Sequence, residues 1–319
     1  MQTGALTRHR PGEYVKSTVT AFVRGGIAEA KQAEANMERI EFEGEGVTIV
    51  ADAAGDPEAQ PVLFLHGGGQ TRQSWGKAIQ EAATRGYRAL SLDLRGHGES
   101  GWAPDGIYDM DAFAGDLRKV IEAQKQPPVL VGASLGGMTS LIVAGAPPPP
   151  IKALVLVDIA VRIEDEGTKE ISDFMLSAPN GFGSLDEAAD AVSAYLPHRT
   201  RPRDTSGLMR NLRLRDDGRL HWHWDPAFVR PRTNARKFDT DVFEVAARAL
   251  RVPTLLVRGG RSRVLSREGA LAFLELAPHT ELVDVTGADH MVAGDANDSF
   301  NNVVFAFLAK HVAAQGKAA

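Results

Sequence analysis

The chain has 319 residues, enough for one sizeable core with a large insertion. Its make-up, 43% apolar and 24% charged with a net charge of −5, is that of a globular protein, and without a dense basic patch it argues against nucleic acid as a partner. The absence of cysteine excludes a disulfide framework, a thiolate nucleophile and any Cys-based metal site. No apolar run reaches the roughly 18 residues that a membrane span needs. No apolar stretch follows Arg8, His9 and Arg10, so a cytoplasmic location is the expectation.

Residues 1–36 read as an N-terminal extension, with a helix-forming composition from Ile27 to Met37. Glu38 to Phe42 and Val47 to Ala51 flank Gly44-Glu45-Gly46, which predicts an antiparallel hairpin. Val62 to Leu65 is an apolar strand ending in His66-Gly67-Gly68-Gly69. A helix follows from Trp75 to Arg85. A second strand, Tyr87 to Leu94, runs into Asp93-Leu94-Arg95-Gly96-His97-Gly98-Glu99-Ser100. Phe113, Leu117, Val120 and Ile121 have the spacing of an amphipathic helix over residues 111–123. Val129 to Val131 is an apolar run with two β-branched residues entering Gly132-Ala133-Ser134-Leu135-Gly136, and a helix from Leu135 is stopped by four prolines, Pro147 to Pro150. Ile151 to Val157 forms another strand, ending at Asp158.

This strand–helix rhythm predicts an α/β fold: a mostly parallel, doubly wound sheet with right-handed crossovers and helices on both faces. Ligands of such sheets bind beyond the carboxyl ends of the strands, where His66, Gly68, Asp93, Ser134 and Asp158 all fall. The rhythm lapses from Ile159 to about Leu250, a stretch read as an inserted, mostly helical cap. It resumes with Pro253 to Val257, a helix from Glu268, a last strand over Glu281 to Val285, Gly287-Ala288-Asp289-His290 and a closing helix from Ser299. The expected division is an extension over 1–36, a core over 37–158 and 250–314, and a helical cap over 159–249. His221-Trp222-His223-Trp224, inside the cap, lack the third ligand that a catalytic zinc needs, so a short strand or a cap segment with aromatics lining the pocket is expected there.

The serine motif has a physical logic. A strand reversing sharply into a helix brings backbone into close contact, so Gly132 and Gly136 carry no side chain and Ser134 sits at the tip of a strained turn in front of a helix N-terminus. G-x-S-x-G after a strand, His-Gly-Gly-Gly after an earlier one and a histidine after the last strand together resemble the α/β-hydrolase family, over about Glu38 to His311. The resemblance implies that Ser134 is a nucleophile, that His290 is its general base, and that the backbone N–H groups of Leu135 and Gly68 form an oxyanion hole. It implies no cofactor and no metal.

The third member is open. The family places an acid after the strand Leu255 to Val257, in a Gly-x-x-Asp pattern. Here that loop reads Arg258-Gly259-Gly260-Arg261-Ser262-Arg263, with Arg263 about where the acid is expected. Either the acid has moved to Asp158, or the chain works with a Ser–His pair or has lost turnover. Asp93, Arg95 and His97 are read as tying their own turn together. The expected activity is hydrolysis of a small carboxylic ester or lactone through an acyl-enzyme. Carbon–carbon bond hydrolysis or a lyase reaction on the same serine and histidine is a second possibility, and ligand binding without turnover a third.

Overall fold

The structure, a computed structural model, describes residues 37–197, 201–229, 240–290, 292 and 297–312. The expected extension over 1–36 lies outside the described residues. Ten strands follow in chain order: β1 (Glu38–Glu43), β2 (Thr48–Ala54), β3 (Pro61–Leu65), β4 (Arg88–Leu92), β5 (Val129–Ala133), β6 (Ala153–Val157), β7 (Leu212–Leu214), β8 (Leu220–Trp222), β9 (Thr254–Gly259) and β10 (Glu281–Val285). Eight of them make one sheet in the order β1-β2-β4-β3-β5-β6-β9-β10. The β1–β2 hairpin and the β2–β4 pair are antiparallel, and every pair from β4 to β10 is parallel.

Side chains alternate across a strand, and the sequence uses the two faces differently. Leu63, Leu65, Leu130, Leu154 and Leu156 point to one face. There they meet α2 (Met110–Glu122) and α3 (Leu135–Ala144), together with α7 (Thr240–Ala249) and α8 (Arg267–Leu276). Val62, Phe64, Val129, Val131 and Val155 point to the other, against α1 (Gly76–Thr84) and α9 (Asn297–His311). A parallel sheet buried on both sides therefore reads as unbroken apolar runs in the sequence.

Between β6 and α7 lies the insertion. It holds α4 (Asp165–Leu176), α5 (Leu185–Tyr195), the β7–β8 hairpin and the short α6 (Pro226–Val229). Its own cluster includes Met175, Phe182, Trp222 and Trp224, the two indoles stacked with centroids 5.1 Å apart. Phe228 packs against both this cluster and the leucine side of the sheet. Helix α7 lies against α3, with Phe243 and Ala246 in the sheet's core.

Three buried histidines stitch the strand-end loops together. Leu94 N–H donates to His66 Nε2 (3.0 Å), so the His66 proton is on Nδ1, facing Gly67 O at 2.7 Å. Gly69 N–H donates to His97 Nε2 (3.1 Å), which leaves His97 Nδ1 to donate to Arg95 O (3.0 Å). Gly98 N–H donates to His223 Nδ1 (2.8 Å). Burial holds the first two in the neutral form, pulling the pKa of His66 down to about 4 and, with His66 nearby as a second cause, that of His97 down to about 3. A folded-state value below the ordinary 6.5 means that the unfolded chain takes up protons first as pH falls. Their contribution to stability is complete above about pH 6.5 and is lost as pH drops towards 4 and below.

Thermal unfolding followed from pH 8 to pH 5 is therefore expected to show a falling midpoint, with a shallower fall in His97→Gln. Equal slopes would mean that the histidine is not held neutral by the fold. Gly136→Ala is expected to cost about 1–3 kcal/mol, as overpacked sites do. An added Cβ there would lie 2.5 Å from the Leu65 carbonyl oxygen, and an unchanged melting temperature would contradict that crowding.

Candidate active site

The site is laid out by strand order. β3, β5, β6, β9 and β10 are consecutive neighbours, and their carboxyl ends present His66, Ser134, Asp158, the Gly259–Ser262 loop and, beyond β10, His290. Ser134 and Asp158 follow paired residues, since Ala133 faces Val157 across the β5–β6 ladder. The ladder continues beyond the strands, with Ser134 N–H donating to Val157 O (3.3 Å) and Asp158 N–H to Val257 O (2.7 Å). Among the described residues, Ser134 and Asp158 are the only non-glycine residues with positive φ, at 45° and 51°. Such conformations cost about 1–3 kcal/mol each and persist only where the surroundings impose them. At Ser134 the imposition is the elbow: a Cβ on Gly132 would lie 2.5 Å from Gly136 O.

The His66–Gly69 loop passes over the serine. Gly136 N–H donates to His66 O (3.1 Å), and a Cβ placed on Gly67 would lie 3.3 Å from Ser134 Cβ. Of the two expected donors, Leu135 directly follows Ser134, and Gly68 follows Gly67 in that loop. Leu135 opens α3, where a backbone N–H has no intrahelical acceptor. Above the loop stand two cap side chains. The Phe228 ring lies 3.6 Å from a Cβ built on Gly68, and Met175 lies 3.3 Å from one built on Gly69.

Asp158 is fully buried and its carboxylate is surrounded by donors. Gly259 N–H donates to Oδ1 (2.7 Å), the Ser262 hydroxyl donates to Oδ2, and His290 Nδ1 lies 2.7 Å from that same Oδ2. The imidazole reaches Asp158 because the segment after β10 crosses over the end of β9. Arg261 N–H donates to Ala288 O (2.9 Å), and a Cβ on Gly259 would lie 2.9 Å from that oxygen. Glycine at 259 is what lets the crossing come so close. With Nδ1 on the carboxylate, the His290 proton is fixed on Nδ1 and Nε2 is left as the basic nitrogen. The structure brings His290 and Asp158 together, whereas among the described residues no hydrogen bond joins Ser134 Oγ to His290. Nucleophile–base contacts are often loose without substrate and tighten in the complex.

Arg263 does not face the histidine. Its guanidinium is turned to α4, where it pairs with Glu166 (3.0 Å) and Glu170 (2.8 Å). Counted from Gly259, the Gly-x-x-Asp pattern falls on Ser262, one residue earlier than expected, and a hydroxyl occupies the place of the carboxylate. Sequence reasoning passed over Ser262, and that count was the signal available. Asp93 and His97 have partners within their own turn, whereas Arg95 ties that turn to α2. Asp93 accepts from Arg72 N–H (2.7 Å) and Glu99 N–H (2.8 Å), and Arg95 binds Asp116 through two nitrogens at 2.6 and 2.8 Å. His221 lies 2.8 Å from Asp217 Oδ2, and the described residues contain no cluster of three or more metal-ligating side chains. Nor is any described helix long and apolar enough to cross a membrane.

Residues 60–296 match the family model described as alpha/beta hydrolase fold. Among curated proteins, the chain is 30% identical over 279 residues to the esterase Rv0045c of Mycobacterium tuberculosis, covering 83% of this chain and 88% of that protein. It is 27% identical to the mouse sn-1-specific diacylglycerol lipase ABHD11, covering 80% and 83%. Among solved structures, the thioesterase domain from the curacin biosynthetic pathway superposes with a TM-score of 0.70 at 25% identity, over 85% of this chain and 99% of that one. With its parallel sheet, its serine elbow and a family model spanning most of its length, the chain belongs to the α/β-hydrolase family.

Proposed function

We propose that the protein is a serine hydrolase that cleaves a small carboxylic ester or lactone through an acyl-enzyme, with Ser134 as nucleophile, His290 as general base and Asp158 as the acid that orients it. The observation that carries the proposal is the 2.7 Å contact between His290 Nδ1 and a buried, fully coordinated Asp158, one strand away from the strained serine. The relatives named esterase and lipase support the same chemistry.

In this mechanism the Ser134 Oγ proton passes to His290 Nε2 as the oxygen attacks the substrate carbonyl carbon. The carbonyl oxygen becomes an oxyanion, accepted by the N–H groups of Gly68 and Leu135, and each such donor is worth about 3–4 kcal/mol of transition-state stabilisation. Collapse breaks the carbon–oxygen bond, and the His290 proton leaves with the alkoxide as an alcohol. Water then gives a proton to His290 and attacks the acyl carbon. The acid is released and the Ser134 hydroxyl is restored. Asp158 stays ionised throughout and stabilises the imidazolium. None of these steps calls for a cofactor. The case for a non-catalytic pocket drew on a cation beside the base, and the Arg263 guanidinium is engaged with α4 instead.

Ser134→Ala is expected to abolish p-nitrophenyl butyrate turnover while leaving the circular dichroism spectrum unchanged. Retention of more than a few per cent of wild-type kcat would refute the assignment. Asp158→Asn is expected to lower kcat by about 10²- to 10⁴-fold, because the base loses its orienting charge. Ser262→Ala removes one charge-assisted donor to Asp158 and is expected to cost about 10- to 100-fold, against a change within about twofold for Arg263→Ala. Steady-state kinetics on the same ester checks all three, and equal losses in Ser262→Ala and Arg263→Ala would show that the hydroxyl has no special part.

A further inference from the structure

The loop that carries Gly68 is held on both sides of that residue by histidine. Behind it, Gly67 O faces His66 Nδ1 at 2.7 Å and also accepts from Gln70 N–H (3.1 Å). Ahead of it, the N–H of Gly69 donates to His97 Nε2 (3.1 Å), and the carbonyl of Gly69 faces His223 Nε2 in a longer contact of 3.4 Å. His66 and His97 belong to the core turns, whereas His223 comes from the insertion, just after β8. The Gly67 C=O and the Gly68 N–H share one rigid peptide plane, so holding that carbonyl aims the Gly68 N–H, while the bonds on Gly69 hold the two planes that follow and with them the torsions that join them to it.

The two histidines that hold Gly69 carry opposite tautomers. His97 accepts at Nε2, so its proton is on Nδ1. His223 accepts from Gly98 N–H at Nδ1, so its proton is on Nε2 and is available to Gly69 O. The rings lie 5.9 Å apart, both are buried, and His66 lies 5.2 Å beyond His97. The stretch of cap that follows His223 is bolted to the same core turn. Asp225 N–H donates to Gly96 O (2.8 Å), Tyr108 donates its hydroxyl proton to Asp225 (2.6 Å), and Phe228 meets the His97 ring edge-on at 4.7 Å. The cap thus reaches the donor loop directly, through one side chain whose two ring nitrogens serve different partners.

We propose that His223 is a positioning residue for the oxyanion-hole loop: by donating to Gly69 O while accepting from Gly98 N–H, it makes the aim of the Gly68 N–H depend on the seated cap. The inference rests on the serine-hydrolase reading for its catalytic consequence, but the contact itself does not. Substitutions separate the two bonds. Asparagine places an acceptor near the His Nδ1 position and cannot reach Gly69. Glutamine places an N–H near the His Nε2 position and gives up the bond from Gly98.

The test combines kinetics with amide exchange. His223→Asn is expected to lower kcat on p-nitrophenyl butyrate by about tenfold or more with KM within about twofold, since the donor is needed mainly in the transition state. His223→Gln is expected to recover most of that loss even if its melting temperature is the lower of the two. Hydrogen exchange at the Gly69 amide is expected to speed up in His223→Asn and to return towards wild type in His223→Gln. Should kcat simply follow melting temperature across wild type and both variants, the residue is structural and the proposal fails. If the wild-type protein turns over no ester, the hydrolase reading fails, and the exchange result still decides the positioning role: faster exchange in His223→Asn supports it, unchanged exchange overturns it.

Discussion

A carboxylate with no exposure to solvent sets the terms for the rest of this site. Burying a charge costs several kcal/mol unless hydrogen bonds replace its water. Asp158 meets that demand with the Gly259 N–H, the Ser262 hydroxyl and the His290 ring, drawn from the ends of β9 and the segment after β10. The arrangement places its own demands on acceptor and donors alike. Asp158 takes a positive φ to turn its side chain across the sheet, Gly259 lacks a Cβ so that the crossing segment can pass, and Ser262 also receives the N–H groups of Val264 and Leu265 at 3.1 Å. Satisfying one buried charge therefore fixes two loops, and the imidazole arrives as part of the same arrangement.

The second constraint is crowding at the serine. Ser134 is held in a strained conformation because β5, α3 and the His66 loop approach one another more closely than any side chain permits. The strain is repaid by burial elsewhere, in a sheet whose leucine and valine faces are both covered. Beyond the sheet, the insertion between β6 and α7 makes its own contacts with the strand-end loops. Through His223, Asp225 and Phe228 it is joined to the turn after β4 and to the loop after β3.

Much of this was legible in the chain. The sheet strands announced themselves because both of their faces are buried, and the turns at Gly132–Gly136 and His66–Gly69 because close approach leaves only glycine possible. What was not legible has a common physical cause. Which side chain of the loop after β9 turns in to Asp158 depends on how that loop curls, and a shift of one residue exchanges a cation for a hydroxyl. Arg263 looked like an intruder beside the base, but its long side chain reaches outward to Glu166 and Glu170, and Ser262 turns in. The part played by His223 was hidden for a similar reason. A histidine between two tryptophans reads as aromatic packing, and only the fold brings its two nitrogens to Gly98 and Gly69, over a hundred residues away in sequence.

In the proposed mechanism Ser134 is a nucleophile activated by a histidine that Asp158 orients. The most direct measurement is covalent capture: intact-mass and peptide analysis after exposure to a fluorophosphonate. The expected result is a single adduct on the peptide carrying Ser134, formed markedly more slowly in Asp158→Asn and absent in Ser134→Ala. An unlabelled Ser134 in the folded wild-type protein, or labelling at the same rate with Asp158 replaced, would contradict it.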